Sequence, residues 1–115
     1  MKQIDIYIAW ENFSAATDVL HMHGVGGISL SEVKGRGKIP HEAVPHTIQA
    51  YTYEKKMGPE YVSRVRMSTI VPDSKVKPVI DDLLKLPPTR GKVFVRDVLE
   101  AYDLASKTAG ESAIL

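Results

Sequence analysis

An α+β domain in the order β-α-β, long loop, β-α-β is what this sequence predicts. Two kinds of observation point there. Four short runs alternate apolar and polar residues, and two longer runs repeat apolar residues at spacings of three and four. The order of those runs is strand, helix, strand, twice over, with residues 35–60 between the halves showing no sustained period. Such an order builds a ferredoxin-like βαββαβ sandwich, an antiparallel four-stranded sheet with both helices on one face.

In the first strand Ile4, Ile6 and Ile8 alternate with Gln3, Asp5 and Tyr7. Asn12 or Ser14 is the expected cap of the first helix. Its apolar face runs through Phe13, Ala16, Val19, Leu20 and His23, and the glycines from Gly24 to Gly27 stop it. The second strand, Ile28 to Lys34, sets Ile28 and Leu30 on one side and Ser29, Ser31 and Val33 on the other. The third, Tyr61 to Val71, alternates Val65, Met67, Thr69 and Val71 with Arg64, Arg66, Ser68 and Ile70. Asp73 or Ser74 should cap the second helix, Val76, Val79, Ile80, Leu83 and Leu84 form its stripe, and Pro78 falls near its first turn. Pro87-Pro88 ends it, and the last strand runs from Lys92 to Leu99. Tyr7, Val33, Phe94 and Val98 would lie on the face away from the helices, and association with further copies is one way to cover them.

With 115 residues, the chain reads as one domain, 1–115, with a long loop at 35–60 and a tail at 100–115. A domain of this size buries only about two thirds of its unfolded surface, so assembly would help it. A formal charge of +1 favours neither a general nucleic-acid binder nor an acidic tail. Cysteine is absent, which removes disulfides, thiolate metal sites and a cysteine nucleophile. No run approaches the ~18 apolar residues of a membrane helix, and Met1-Lys2-Gln3 leads into a strand without a signal-peptide core. Cytoplasmic is the expected location.

Chemistry concentrates in two basic, glycine-bearing segments. Lys34, Arg36 and Lys38 project to one side of an extended stretch, with Gly35 and Gly37 exposing backbone N–H groups between them. Cations beside accessible amides are what a phosphate requires. Thr89-Arg90-Gly91-Lys92 repeats the theme before the last strand. In a ring of subunits, one copy's first segment could face its neighbour's second. His21 and His23 face about 200° apart on a helix and cannot share a metal. His41 and His46 share the long loop with Glu42 but with no cysteine, and no metal site is expected. Asp81-Asp82 reads as a solvated helix face. No serine has a nucleophile-elbow context and no phosphate-loop motif of the G-x-x-x-x-G-K-[ST] type exists, so no catalytic residue is assigned.

Four stretches, Met1–Asp5, Gly26–Gly37, Ile70–Asp73 and Gly91–Val98, together with the tail Thr108–Ile114, resemble the PII signal-transduction family. The resemblance covers nearly everything outside Lys38 to Tyr61. It implies a homotrimer that binds adenine nucleotide in the clefts between subunits and presents a long "T-loop" to a target enzyme or transporter. It implies a membrane role only through such a transporter, and no nucleic acid. Carried across residue by residue, it places Tyr7, Gly27, Ile28, Ser29, Gly35, Thr69 and Ile70 around adenine and ribose. Arg36, Gly37, Lys38, Thr89, Arg90, Gly91 and Lys92 fall toward the phosphates, with Lys107 as a further cation.

Departures from the family pattern shape the expected ligand. Ala9-Trp10 replaces a basic residue and proline, and Ile39 replaces the glutamine that helps hold Mg-ATP and 2-oxoglutarate. The turn before the last strand is shortened to Pro87–Lys92, and Asp103 and Ala105 stand where paired arginines are usual. A charge-assisted phosphate contact contributes roughly 1.5–3 kcal/mol. Losing two and adding a carboxylate weakens triphosphate binding by about 10² or more. ADP or AMP is therefore expected over ATP, without a 2-oxoglutarate response, as in divergent PII-like proteins of inorganic-carbon uptake, some of them carboxysome-linked. The cationic pocket near Lys38 and Arg90 suits a small anion such as bicarbonate. The alternative within the family is a nitrogen-regulatory protein of the ATP and 2-oxoglutarate type. Tyr51 sits about where some relatives carry a modified tyrosine, and no modification is expected here. Outside the family, a small phosphate-ester enzyme would need a base beside the cations, and an RNA-binding module would need more sheet aromatics than Tyr7 and Phe94.

Overall fold

In the computed structural model, which describes residues 1–35, 61–87 and 90–114, the expected architecture is present. Strand β1 (Lys2–Ile8) leads to helix α1 (Phe13–Met22) and strand β2 (Ser29–Gly35). Strand β3 (Val62–Val71), helix α2 (Asp73–Leu84) and strand β4 (Gly91–Asp97) repeat the unit. The sheet order is β2-β3-β1-β4, and every neighbouring pair is antiparallel. The chain between β2 and β3, expected as the long loop, lies outside the described residues apart from Tyr61.

Register explains where the core forms. Ile4, Ile6 and Ile8 stand opposite Thr69, Met67 and Val65 on β3, and Ile4 and Ile6 stand opposite Val95 and Val93 on β4. Period-two pleating sends all of these to one face, where Ala16 and Leu20 of α1 and Val79 of α2 close over them. Ile4, Val65, Met67, Leu20 and Val79 are fully buried. Each such side chain contributes about 1.5–3 kcal/mol through lost apolar surface. The other face carries Gln3, Asp5 and Tyr7 with Arg66, Ser68 and Ile70, and β4 adds Lys92, Phe94 and Arg96. Among the described residues no helix covers it.

Several helix details differ from the sequence expectation. A 3-10 turn, Trp10–Asn12, precedes α1, and neither Asn12 nor Ser14 supplies a side-chain cap. Pro72 is the residue before α2, and the Asp73 carboxylate is held by the amino group of Met1 at 2.9 Å rather than capping backbone N–H groups. Pro78 is the sixth residue of α2, past the first turn, so it removes the N–H that would reach the carbonyl of Ser74. Leu84 is exposed rather than part of the packed stripe. Asp82 is half-buried and accepts from His23 at 2.6 Å, so the Asp81-Asp82 pair is not simply a solvated face. Val98 lies past the end of β4, although its N–H still donates to the carbonyl of Met1.

Candidate functional site

Gly26 and Gly27 end the connection from α1, and the strand that follows runs beside β3. Thr69 decides how closely the two approach. Its side chain is buried, and its hydroxyl donates to the carbonyl of Gly27 at 2.6 Å, tying the glycine turn to the sheet. The result is a cavity of about 540 Å³. Its floor is Gln3, Ser68, Thr69 and Ile70, one side is Gly26 to Ser29, and Ala113 and Ile114 of the tail form another. Five of the seven residues that the sequence assigned to adenine and ribose, Gly27, Ile28, Ser29, Thr69 and Ile70, meet here, and Tyr7 and Gly35 do not.

Behind the floor lies a charged network on the face away from the helices. Asp5 is fully buried, with Arg66 Nη2 at 3.5 Å and Arg96 Nη1 at 3.1 Å. Gln3 Nε2 donates to Asp5 Oδ1 at 3.0 Å and to Ser68 Oγ at 3.1 Å. Burial pushes the Asp5 carboxyl up, but hydrogen bonds from Gln3 and Ser68 and the charges of Arg66 and Arg96 outweigh it and hold the group below its ordinary value. Asp5 is thus an anion at neutral pH. Among the described residues the Nε of Arg66 is buried without a hydrogen-bond partner.

Of the residues assigned to the phosphates, Arg90, Gly91 and Lys92 stand at the opposite end of the sheet, together with Tyr7 and Gly35 from the adenine and ribose set. Tyr7 is opposite Lys92, and Ile8 is opposite Gly91. Tyr7 packs edge-on against Phe94, with ring centres 5.8 Å apart. Gly91 has to be glycine: a Cβ there would sit 2.5 Å from the carbonyl oxygen of Tyr7 and 2.8 Å from Cγ2 of Ile8. Arg90 and Lys92 are exposed beside it, and Gly35 ends β2 at the same end of the sheet, opposite Val62. Gln3 and Tyr7 are four residues apart on one strand, about 13 Å at ~3.3 Å per residue. The two groups of assigned residues therefore share one face of the sheet without meeting in one cavity.

The remaining assigned residues divide. Arg36, Gly37, Lys38 and Thr89 lie outside the described residues. Lys34 belongs to the helix-side row of β2 and lies 3.7 Å from Glu32, so an acid does accompany that basic run. Lys107 has a left-handed backbone (φ 62°) in the tail turn and is not among the cavity residues. That turn is built by Asp103, whose Oδ1 accepts from the N–H groups of Ser106 and Ala105. Those bonds hold the Asp103 carboxyl below its ordinary value. Sequence reading left out Gln3, Ser68, Gly26, Ala113 and Ile114. The first two were visible as the polar members of their strands' alternation, but only the register sets them beside Ile70 and Ser29.

Among the described residues no cluster of three or more potential ligands could hold a metal ion, and no helix is long and apolar enough to cross a membrane. Residues 1–107 match the family described as nitrogen regulatory protein P-II. The chain is 27% identical to a nitrogen fixation nifHD region GlnB-like protein 2 of Methanobacterium ivanovii, with the whole of both chains covered. It is 27% identical to the nitrogen regulatory protein P-II 1 of Escherichia coli K12 and 24% identical to the nitrogen regulatory protein P-II of Cereibacter sphaeroides, each with 99% of this chain and all of the relative covered. Fold, residue pattern and match agree, and this chain belongs to the P-II family of regulatory signalling proteins.

Proposed function

We propose that the protein is a nucleotide-sensing regulator that works as a homotrimer, with ADP or AMP in the clefts between subunits. Proteins of this family bind adenine nucleotides as effectors. What carries the reading is the division of the assigned residues: five line one cavity, while Tyr7, Arg90, Gly91 and Lys92 stand at the far end of the same face. Rotation about a threefold axis brings one copy's cavity to its neighbour's cationic end. The ligand undergoes no covalent change. It shifts residues 35–60 between positions that a target enzyme or transporter distinguishes, because it binds one position better than another.

Preference for ADP or AMP over ATP rests on the missing arginines and on Asp103, which is committed to the tail turn rather than to a ligand. Bicarbonate is the proposed second effector, held near Lys38 and Arg90, which would place the protein in inorganic-carbon metabolism. The names of the relatives favour a second reading, nitrogen regulation, for which the family resemblance implies ATP and 2-oxoglutarate as effectors.

Calorimetric titration separates the two. The first reading expects ADP and AMP to bind at least about 10² more tightly than ATP, the loss of two charge-assisted contacts, and ADP affinity to rise with bicarbonate. Tight Mg-ATP binding that depends on 2-oxoglutarate would refute it. Release of phosphate on prolonged incubation with ATP would point instead to an enzyme.

A further inference from the structure

We propose that Gln3 selects the base, accepting a hydrogen bond from an exocyclic amino group and thereby favouring adenine over 6-oxo purines. The inference rests on the nucleotide reading above and adds a residue that reading did not assign. Gln3 lines the floor of the cavity. Its amide cannot be turned end for end: Nε2 points to a carboxylate oxygen of Asp5, which only accepts. The same nitrogen donates to Ser68 Oγ. With both amide protons so engaged, what Gln3 retains for a ligand is its carbonyl oxygen, an acceptor of fixed polarity.

The other polar side chains of the cavity do not discriminate in this way. Thr69 already donates to Gly27. The Ser29 hydroxyl can donate or accept, so it tolerates either base edge. Ser68 receives the Gln3 bond and itself hydrogen-bonds to Asp5. Asp5 strengthens the effect from behind. An anion fixed between Arg66 and Arg96 draws the Gln3 amide protons, which polarises the amide and makes its oxygen a better acceptor. A 6-oxo group would bring a second acceptor against that oxygen and leave both unpaired, and sites built to receive an N–H reject such analogues strongly.

The experiment compares ADP with inosine diphosphate, which differs at the 6-position, on the full-length protein and two variants. Unmodified protein is expected to bind ADP at least about tenfold more tightly, the value of one hydrogen bond. In Gln3→Met the ratio should fall below about threefold, through weaker ADP binding and through relief of the opposed acceptors with inosine diphosphate. Lys77→Ala, an exposed change on α2 away from the cavity, should keep the unmodified ratio. A Gln3→Met protein that still discriminates as the unmodified protein does overturns the assignment and leaves nucleotide sensing standing. Failure of the unmodified protein to bind any adenine nucleotide removes the parent reading and this one together. One measurement needs no substitution: the Gln3 side-chain carbonyl carbon should shift in NMR spectra on adding ADP and stay in place with inosine diphosphate. An unmoved carbon with ADP bound contradicts the proposal.

Discussion

Thr69 is the buried polar member of an otherwise apolar row, and its hydroxyl holds the Gly27 carbonyl to form one wall of the cavity. Gly91 does comparable work at the other end, where the absence of a side chain lets β4 lie against the backbone of Tyr7. Gly91→Ala forces a methyl group into a 2.5 Å contact with a carbonyl oxygen, which cannot rotate away. We expect a loss of about 1–3 kcal/mol in unfolding free energy, the usual cost of overpacking, read by denaturant titration. An unchanged midpoint and slope would show that the strand pair relaxes freely. At this scale the sequence was informative where chemistry is local. Gly91 and Lys92 stood out as a basic, glycine-bearing element from composition alone. The role of Gln3 was not legible, because it depends on Asp5, Ser68 and Ile70, and two of these come from a strand more than sixty positions along the chain.

Element positions followed from periodicity, since alternate residues of a strand facing one side must match what covers that side. Helix ends were less legible. The expected side-chain caps are missing, and pairings from distant segments fix those ends instead, as with Asp73 and the Met1 amino group. His23, just past α1, and Asp82, in the last turn of α2, link the two helices. The hydrogen bond from His23, then that from Lys85, holds the Asp82 carboxyl below its ordinary 3.8. A carboxyl depressed in the folded state stabilises it fully above the ordinary carboxylate range, and that contribution disappears as pH falls through the folded value. Acid titration should therefore unfold the protein more steeply below pH about 4 than it unfolds His23→Phe, in which the first of those bonds is missing. Identical acid limbs for the two proteins would show that the pair adds nothing to helix docking.

At the scale of the whole molecule, two clusters share one sheet face about 13 Å apart along β1, and no single cavity joins them. The sequence showed the basic turns and the repeated βα unit. It did not show that the cavity and the cationic end occupy opposite ends of a face no helix covers, since that follows from strand order and register. Buried Asp5 and the arginines around it lie on this face. Complementation in mixed oligomers tests the shared site most directly. Ser29→Trp fills the cavity, Lys92→Glu reverses charge at the cationic end, and each homo-oligomer should fail to bind ADP. Dissociated and reassembled together at equal amounts, they should form trimers in which about a quarter of the clefts combine an intact cavity with an intact cationic end. Every mixed trimer has one such cleft, so native mass spectrometry should show about three quarters of the trimers carrying a single ADP, a result that only a cleft shared between copies produces. Mixed trimers that remain empty, or a monomer that binds ADP alone, would contradict it.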